Sequence, residues 1–99
     1  MSTQGKAYIV GAYEHPTRYA PDKSVTQLHA EAALGALRDA GLTLADVDGY
    51  FCAGDVPGST PLSMAEYLNL KLKWMDGTEL GGCSYMVHVR HAALAIAEG

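Results

Sequence analysis

The sequence predicts an α/β fold built on a mostly parallel sheet. Three short runs rich in β-forming residues, Lys6–Ala12, Tyr50–Ala53 and Trp74–Leu80, alternate with segments of helical pattern. This alternation is typical of parallel sheets, because a parallel strand pair needs a crossover connection that is usually a helix. A chain of 99 residues corresponds to one domain or to part of a larger one.

Composition and charge exclude several classes of function. A net charge of −4 with seven Lys and Arg, and no basic cluster, argues against nucleic acid as a partner. The two cysteines and the absence of a secretory leader predict reduced thiols in a cytoplasmic protein. No apolar run approaches the roughly 20 residues of a membrane span. The sequence therefore predicts a cytoplasmic protein with no membrane span.

The first elements are a strand, a loop and a helix. Lys6–Ala12 is short and mostly apolar, which predicts a buried strand. Tyr13–Lys23 contains two prolines and is interpreted as a loop. Ser24 and Gln27 have the spacing of a capping box, and a helix is predicted from there to about Ala40. Its apolar side comprises Val25, Leu28, Ala32 and Ala36, and Gly41 is the expected C-terminal cap.

The middle of the chain contains a connector, a strand and a short helix. Leu44–Gly49 is predicted to be a connector or helical turn, in which Asp46 and Asp48 serve turn and cap bonding. The strand Tyr50–Ala53, with Cys52 as a buried thiol, is broken by Gly54–Gly58. Ser63 and Glu66 then form a second capping-box pattern that opens a helix carrying Met64, Tyr67 and Leu68.

The segment Glu79–Tyr85 is the most informative part of the chain. The strand Trp74–Leu80 stops at Gly81 and Gly82, and a helix with an Ala-rich face is predicted over Tyr85–Glu98. A sharp strand-to-helix corner can hold a side chain, or the N–H groups at the start of the helix, against a bound carbonyl or thioester. The sequence predicts a site at this corner.

Several segments resemble the thiolase superfamily in their order. The chain has an opening Ile9-Val10-Gly11 strand, a helix of the Ala-x-x-Ala-Leu-x-x-Ala-Gly-Leu kind from Ala33 to Leu42, a Leu42–Gly49 connector, the corner, and an Ile96-x-x-Gly99 ending. The Ser-Met-Ala-Glu-Tyr-Leu and Gly-Gly-Cys-Ser-Tyr segments look most like the thiolase-like lipid-transfer and sterol-carrier branch. By this resemblance, residues 1–99 are the N-terminal portion of a layered αβαβα fold, and the remainder of the fold is outside this chain.

The corner departs from the family pattern at one position. Ordinary thiolases have Cys-x-Ser-Gly here, and the spacing to Ile96 places the family's cysteine at Gly82, one residue before Cys83. Tyr85 stands where the family has glycine. The departure resembles relatives that lack the nucleophile and cleave a C–C bond beside a CoA thioester by retro-aldol chemistry.

The resemblance therefore implies an enzyme that makes or breaks a C–C bond next to a CoA thioester. The first interpretation is a Claisen-type acyltransferase, the second is a retro-aldolase without a cysteine nucleophile, and the third is a non-catalytic acyl-binding or scaffolding subunit. An acyl-CoA is the expected substrate, with no further cofactor. A homodimer is expected, and the branch makes a small OB-fold or zinc-ribbon partner protein possible.

The candidate site residues each have an alternative structural role. Cys83 is the candidate nucleophile, since a thiol at a helix N-terminus is activated, but it can also pack as a small apolar residue. Gly81 and Gly82 can let backbone N–H groups approach an oxyanion or merely permit the turn. Ser84 can contact a bound carbonyl or cap the helix. Tyr85 can donate a hydrogen bond to substrate or pack in a dimer.

Two histidines share one side of the last helix. His88 and His91 are three residues apart, as in some metal sites, but no Cys, Asp or Glu partner is evident nearby in the sequence. A structural or interface role is the favoured interpretation, and no metal site is predicted.

Overall fold

A computed structural model describes residues 4–53, 60–78 and 80–99 of the chain. It contains three α-helices, α1 (Val25–Ala40), α2 (Pro61–Leu68) and α3 (Ser84–Glu98), and two strands, β1 (Gly49–Ala53) and β2 (Trp74–Thr78). Single 3₁₀ turns lie at Leu44–Asp46 and Gly81–Cys83. The predicted α/β class is confirmed. The predicted break at Gly54–Gly58 and position 79 of the corner lie outside the described residues.

β1 and β2 pair in parallel, as the alternation of elements predicts. Their register runs from Gly49 opposite Trp74 to Ala53 opposite Thr78. The crossover between them contains α2, so the three elements form a βαβ unit. Both strands consequently end at the same edge of the sheet, and the corner that leads into α3 begins there.

The two faces of the sheet contact different helices. Tyr50 packs against a core formed by Ala30 of α1 with Met64 and Leu68 of α2. Phe51, the next residue of β1, points to the opposite face, where its ring meets that of His88 in α3. The described residues thus form three layers, with α1 and α2 on one face of the sheet and α3 on the other.

Local signals place the ends of α1 as predicted. The Ser24 hydroxyl oxygen accepts a hydrogen bond from the Gln27 N–H at 3.0 Å, and Gly41 adopts a left-handed conformation with φ of 74°. The second half of the predicted capping box is wrong. The Gln27 side chain points along the helix instead, where its amide N–H donates to the carboxylate of Glu31 at 3.0 Å.

The predicted apolar side of α1 is only partly its core side. Ala30 is buried in the core and Ala33 packs against it. Val25, Leu28 and Ala32, which the sequence predicts on the packed side, line an open crevice instead. Alanine fits both a packed and an open helix face, so sequence periodicity alone does not fix which side faces the sheet.

The prediction of a buried first strand is wrong. Tyr8, Ile9 and Val10 are 76%, 83% and 65% exposed, and residues 7–12 lie outside the two-stranded sheet. The segment is held by α1, since the Ala12 N–H donates to Asp39 Oδ2 at 3.0 Å. A Cβ on Gly11 would come within 2.4 Å of the Ala36 carbonyl oxygen, which shows how closely the backbone approaches the helix.

The second helix starts earlier than predicted. Thr60 is its N-cap, with its hydroxyl oxygen accepting the Ser63 N–H at 3.3 Å, and Pro61 occupies the first turn. Ser63 therefore lies inside the helix, and the predicted capping box from Ser63 to Glu66 is wrong. Proline fits the first helical position because its missing N–H would be unpaired there anyway. Met64 and Leu68 are buried, whereas Tyr67 is exposed.

The connector confirms the predicted role of Asp46. Its carboxylate accepts the Thr43 N–H at 2.8 Å and the Thr43 hydroxyl at 3.2 Å, which caps the 3₁₀ turn Leu44–Asp46. The Asp48 carbonyl oxygen accepts the N–H groups of Lys73 and Trp74 at 2.7 and 3.1 Å. These bonds bring the starts of β1 and β2 together.

Glu31 ties the loop before α1 to the helix. Its carboxylate contacts His15 Nε2 at 2.7 Å, accepts from Lys23 Nζ at 2.8 Å, and accepts from Gln27. The Lys23 ammonium, followed by His15, holds the pKa of Glu31 at about 2, below its ordinary value. Within residues 4–53, 60–78 and 80–99, no helix has the length and apolar character needed to span a bilayer.

Replacing Gly77 by Ala is expected to destabilise the fold. A Cβ at Gly77 would lie 2.9 Å from Pro61 Cγ, so α2 would have to move away from β2. Such overpacking costs about 1–3 kcal/mol. The urea midpoint of the full-length protein measures the loss. Gly82→Ala is the matched control, because a Cβ there meets no atom within 4 Å. Equal midpoints for the two variants would contradict the close approach of α2 to β2.

Replacing Glu31 by Gln is expected to lower stability at neutral pH. A carboxylate whose pKa is depressed on folding stabilises the fold above its ordinary pKa, and that contribution disappears as the pH falls through about 2. The difference in unfolding midpoint between wild type and Glu31→Gln should therefore shrink steadily over this acid range. Glu14→Gln is the control, since Glu14 forms an exposed pair with Arg18 and should change little. A difference independent of pH would refute this role of Glu31.

Candidate active site

The strand-to-helix corner forms a single tight turn. β2 ends at Thr78, the 3₁₀ turn covers Gly81–Cys83, and α3 begins at Ser84. Gly81 has a φ of 78°, a conformation that favours glycine over other residues. The chain reverses within a few residues, which confirms the corner that the sequence predicts. The start of α3 consequently lies at the edge of the sheet where β1 and β2 end.

Ser84 holds the corner together from inside. Its side chain is fully buried, and its hydroxyl oxygen accepts a hydrogen bond from the Leu80 N–H at 3.0 Å. This bond joins the residue before the turn to the first residue of the helix. In this arrangement Ser84 supports the turn that presents the neighbouring groups.

Gly81 and Gly82 leave open space in front of the turn. A Cβ built on either residue would meet no heavy atom within 4 Å. The backbone here is therefore accessible to a ligand, and the start of a helix carries a partial positive charge that attracts an oxyanion. Gly81 and Gly82 are therefore exposed and lie next to the partial positive charge at the start of α3.

Cys83 is the exposed thiol of the chain and Cys52 is the buried one. The Cys83 thiol donates a hydrogen bond to the Leu80 carbonyl oxygen, with Sγ and O 3.3 Å apart. Burial raises the pKa of the Cys52 thiol, which keeps it protonated in the core as the sequence predicts. Of these two thiols, only Cys83 is exposed to solvent.

Tyr85 stands at the mouth of a crevice beside the corner. Its side chain is 60% exposed, and its ring meets the His88 ring edge-on with centroids 6.2 Å apart. The crevice has a volume of about 480 Å³ and lies between α1 and the carboxyl end of β1. It is lined by Val25, Leu28, His29, Ala32, Ala33, Tyr50, Phe51, Cys52, Ala53 and Tyr85. Its position matches the usual place of ligands in parallel α/β sheets.

His29 is a lining residue that sequence reasoning missed. It lies in the second turn of α1, on the same side as Val25 and Ala32. A helix that runs antiparallel to the strands begins at the edge where the strands end, so polar residues in its first turns are site candidates. His29 carries this topological signal in the sequence.

The two histidines of α3 form hydrogen bonds to β2. His88 is buried, with Nε2 2.9 Å from Thr78 Oγ1, and His91 Nδ1 pairs with Asp76 Oδ2. Each histidine thus holds α3 against the sheet, which agrees with the structural role favoured from sequence. Among the described residues, no group of three or more His, Cys, Asp or Glu side chains could hold a metal ion.

Comparison with known proteins supplies one informative relative. The chain is 34% identical over 96 residues to the 17-hydroxy-3-oxo-4-pregnene-20-carboxyl-CoA lyase of Mycobacterium tuberculosis (strain ATCC 25618 / H37Rv). The match covers 96% of this chain and 25% of the lyase, so the chain spans about a quarter of the length of this curated relative. No protein-family model matches the chain. The chain is thus similar, almost throughout, to one part of a CoA lyase.

The two thiols are expected to differ sharply in reactivity. Cys83 is exposed at the corner, whereas Cys52 is buried with a raised pKa, so only Cys83 should be alkylated quickly in the native protein. We expect a rate ratio of roughly tenfold or more in favour of Cys83. Peptide mass mapping after brief iodoacetamide treatment measures it, with urea-unfolded protein as the control in which both thiols react. Comparable native rates would mean that the corner is shielded or that the core around Cys52 opens readily.

Proposed function

We propose that this chain is the N-terminal portion of a thiolase-like enzyme that cleaves a C–C bond beside a CoA thioester. The similarity of 96% of the chain to a CoA lyase carries the proposal. The corner supports it, because accessible backbone at a helix start suits the negative charge that develops on a thioester oxygen. This interpretation places the cleavage reaction ahead of acyl transfer, the activity favoured by the sequence alone.

The relative's name indicates the chemical class of substrate. It places a hydroxyl on carbon 17 and the CoA-linked carboxyl on carbon 20, the carbon next to it in a steroid skeleton. Such a compound is a β-hydroxy thioester, the class that undergoes retro-aldol cleavage. For the present protein we propose a β-hydroxyacyl-CoA with a bulky apolar acyl group.

The proposed reaction needs no outside oxidant or reductant. A base takes the proton of the β-hydroxyl group, and the bond between the α and β carbons breaks. The hydroxyl carbon becomes a carbonyl, and the electron pair passes to the α carbon and thioester oxygen as an enolate. A proton added to the α carbon then completes a shortened acyl-CoA. The most demanding species is the enolate, so groups that stabilise its oxygen contribute most to the rate.

Four residues of the corner have proposed roles in this reaction. Gly81 and Gly82 are exposed, and a Cβ on either would meet no heavy atom within 4 Å, so their N–H groups are the proposed donors to the enolate oxygen. The phenol of Tyr85, at the mouth of the crevice, can donate a hydrogen bond or a proton to the reacting thioester. Ser84, buried beneath them, supports the turn. The crevice of about 480 Å³ is within the range of small-molecule sites and can hold an apolar acyl group.

Acyl transfer through Cys83 is the second candidate function. The observation that favours it is the exposed thiol at the start of α3. In that reaction the Cys83 thiolate attacks a carbonyl carbon, the enolate of a shorter CoA thioester departs, and the acyl group on sulfur is then taken by the thiol of CoA. This mechanism requires a covalent intermediate on Cys83, which the cleavage mechanism does not.

Turnover by a Cys83→Ala variant separates the two candidates. The full-length protein and the variant are each incubated with 17-hydroxy-3-oxo-4-pregnene-20-carboxyl-CoA, and the ketone and shortened acyl-CoA are quantified by mass spectrometry. We expect equal rates within about twofold, because the retro-aldol step does not use the thiol.

Other results of this experiment would favour a different function. Turnover of a β-ketoacyl-CoA with free CoA that is lost in Cys83→Ala, together with an acyl adduct on the Cys83 peptide of the wild type, would establish the acyl-transfer mechanism instead. Absence of turnover in both proteins, with this substrate, with simple β-hydroxyacyl-CoAs and with β-ketoacyl-CoAs plus free CoA, would contradict both enzymatic candidates. Binding of the CoA ester without turnover would then identify a binding subunit.

A further inference from the structure

His88 is a buried polar side chain beneath the candidate site. It is 6% exposed and lies on the side of α3 that faces the sheet. Buried polar groups in proteins are almost always hydrogen-bonded, and His88 Nε2 meets this requirement with Thr78 Oγ1 at 2.9 Å. Thr78 is the last residue of β2. The imidazole is therefore fixed relative to the edge of the sheet where the site lies.

Two aromatic rings contact this imidazole. The Phe51 ring lies 6.3 Å away at an angle of 44°, and the Tyr85 ring lies 6.2 Å away at 85°. The second geometry is the edge-to-face arrangement that aromatic pairs favour. Tyr85 is three residues before His88, so the two side chains are neighbours on the helix surface. The imidazole thus lies between the sheet and the exposed tyrosine.

We infer that His88 is a positioning residue that fixes the Tyr85 phenol at the mouth of the crevice. The inference rests on the proposed function, in which Tyr85 contacts the reacting thioester. Thr78 sets the orientation of the His88 ring, and the edge of that ring limits the rotation of the Tyr85 side chain. His88 itself does not touch substrate.

The orientation of Tyr85 matters because its side chain is 60% exposed. An exposed tyrosine at the start of a helix can populate more than one χ1 rotamer, and each places the hydroxyl several ångströms from the others. A donor that must meet a developing charge loses most of its effect when displaced by about 1 Å. Contact with a fixed imidazole selects one orientation before the substrate binds.

Variants at His88 test this role. His88→Phe keeps an aromatic ring of similar size and loses the bond to Thr78, whereas His88→Leu also loses the ring edge. We expect kcat to fall about tenfold in His88→Leu and less in His88→Phe, with KM changed by about twofold at most, because orientation affects the transition state more than binding. Thr78→Val removes only the hydroxyl partner of His88, so its kcat should fall between those of the wild type and His88→Leu. This variant tests the role of His88 if His88→Leu does not fold.

A double-mutant cycle separates positioning from general destabilisation. If His88 acts through Tyr85, then His88→Leu should cost less than about twofold in kcat once Tyr85→Phe has removed the phenol hydroxyl. A purely structural role for His88 would give the same loss in both backgrounds. Equal losses in the wild-type and Tyr85→Phe proteins would overturn the inference.

An NMR measurement decides the contact independently of turnover. In protein labelled with ¹³Cζ-tyrosine, the Tyr85 signal is identified by its disappearance in Tyr85→Phe. We expect His88→Leu to shift this signal and His88→Phe to shift it less, with the other tyrosine signals unchanged. An unchanged Tyr85 signal in His88→Leu would overturn the inference even if the enzyme is active. If the wild type fails to cleave β-hydroxyacyl-CoAs, the proposed function fails, and this spectrum still shows whether His88 orients Tyr85.

Discussion

Parallel pairing of β1 with β2 is the constraint on which the rest of this structure depends. Strands that run in the same direction end at the same edge, and the register from Gly49–Trp74 to Ala53–Thr78 aligns those ends without offset. The corner leaves from this edge into α3, and the first turns of α1 face the same region across the crevice. Groups far apart in the sequence, such as His29 and Tyr85, therefore line one space.

The two faces of the sheet are covered by different kinds of contact. On the side of α1 and α2, small and apolar side chains allow close approach, with Pro61 against Gly77 and Met64 completely buried. On the side of α3, the contacts include hydrogen bonds between Thr78 and His88 and between His91 and Asp76. Apolar packing lets a helix slide slightly along the sheet. Hydrogen bonds at two positions along a helix fix its rotation about its own axis. The candidate site lies at the start of the helix that is fixed in this way.

Local signals in the sequence were sufficient for some elements and insufficient for others. The ends of α1 and the corner were predictable from local signals, because Ser24 caps the helix with its own hydroxyl and Gly41 and Gly81 adopt a left-handed backbone. The limits of α2 were mispredicted because two hydroxyl residues compete as N-cap, and Pro61 decides in favour of Thr60.

Tertiary contacts decide the remaining differences. The β-forming character of Lys6–Ala12 does not determine whether a neighbouring strand pairs with it, and here the segment packs on α1 instead. For the candidate site, the sequence indicated the corner and Tyr85. It did not indicate His29, nor the hydrogen-bond partner of His88, because helical spacing shows only that His88 and His91 share a side. Their hydrogen bonds to Thr78 and Asp76 depend on the register of β2 against α3.

The exposed apolar side chains around Ile9 affect how the protein folds in the cell. Three consecutive apolar side chains, Tyr8, Ile9 and Val10, remain in water while Met64 and Leu68 already form a core with α1. Exposed runs of this composition are recruited by the open edges of other sheets and by chaperones. Val89, Ala92 and Ala93 of α3, which line an open cleft together with Tyr8 and Ile9, follow much later in the chain. The yield of folded protein in a cell is consequently expected to depend on chaperone supply and on the rate of synthesis.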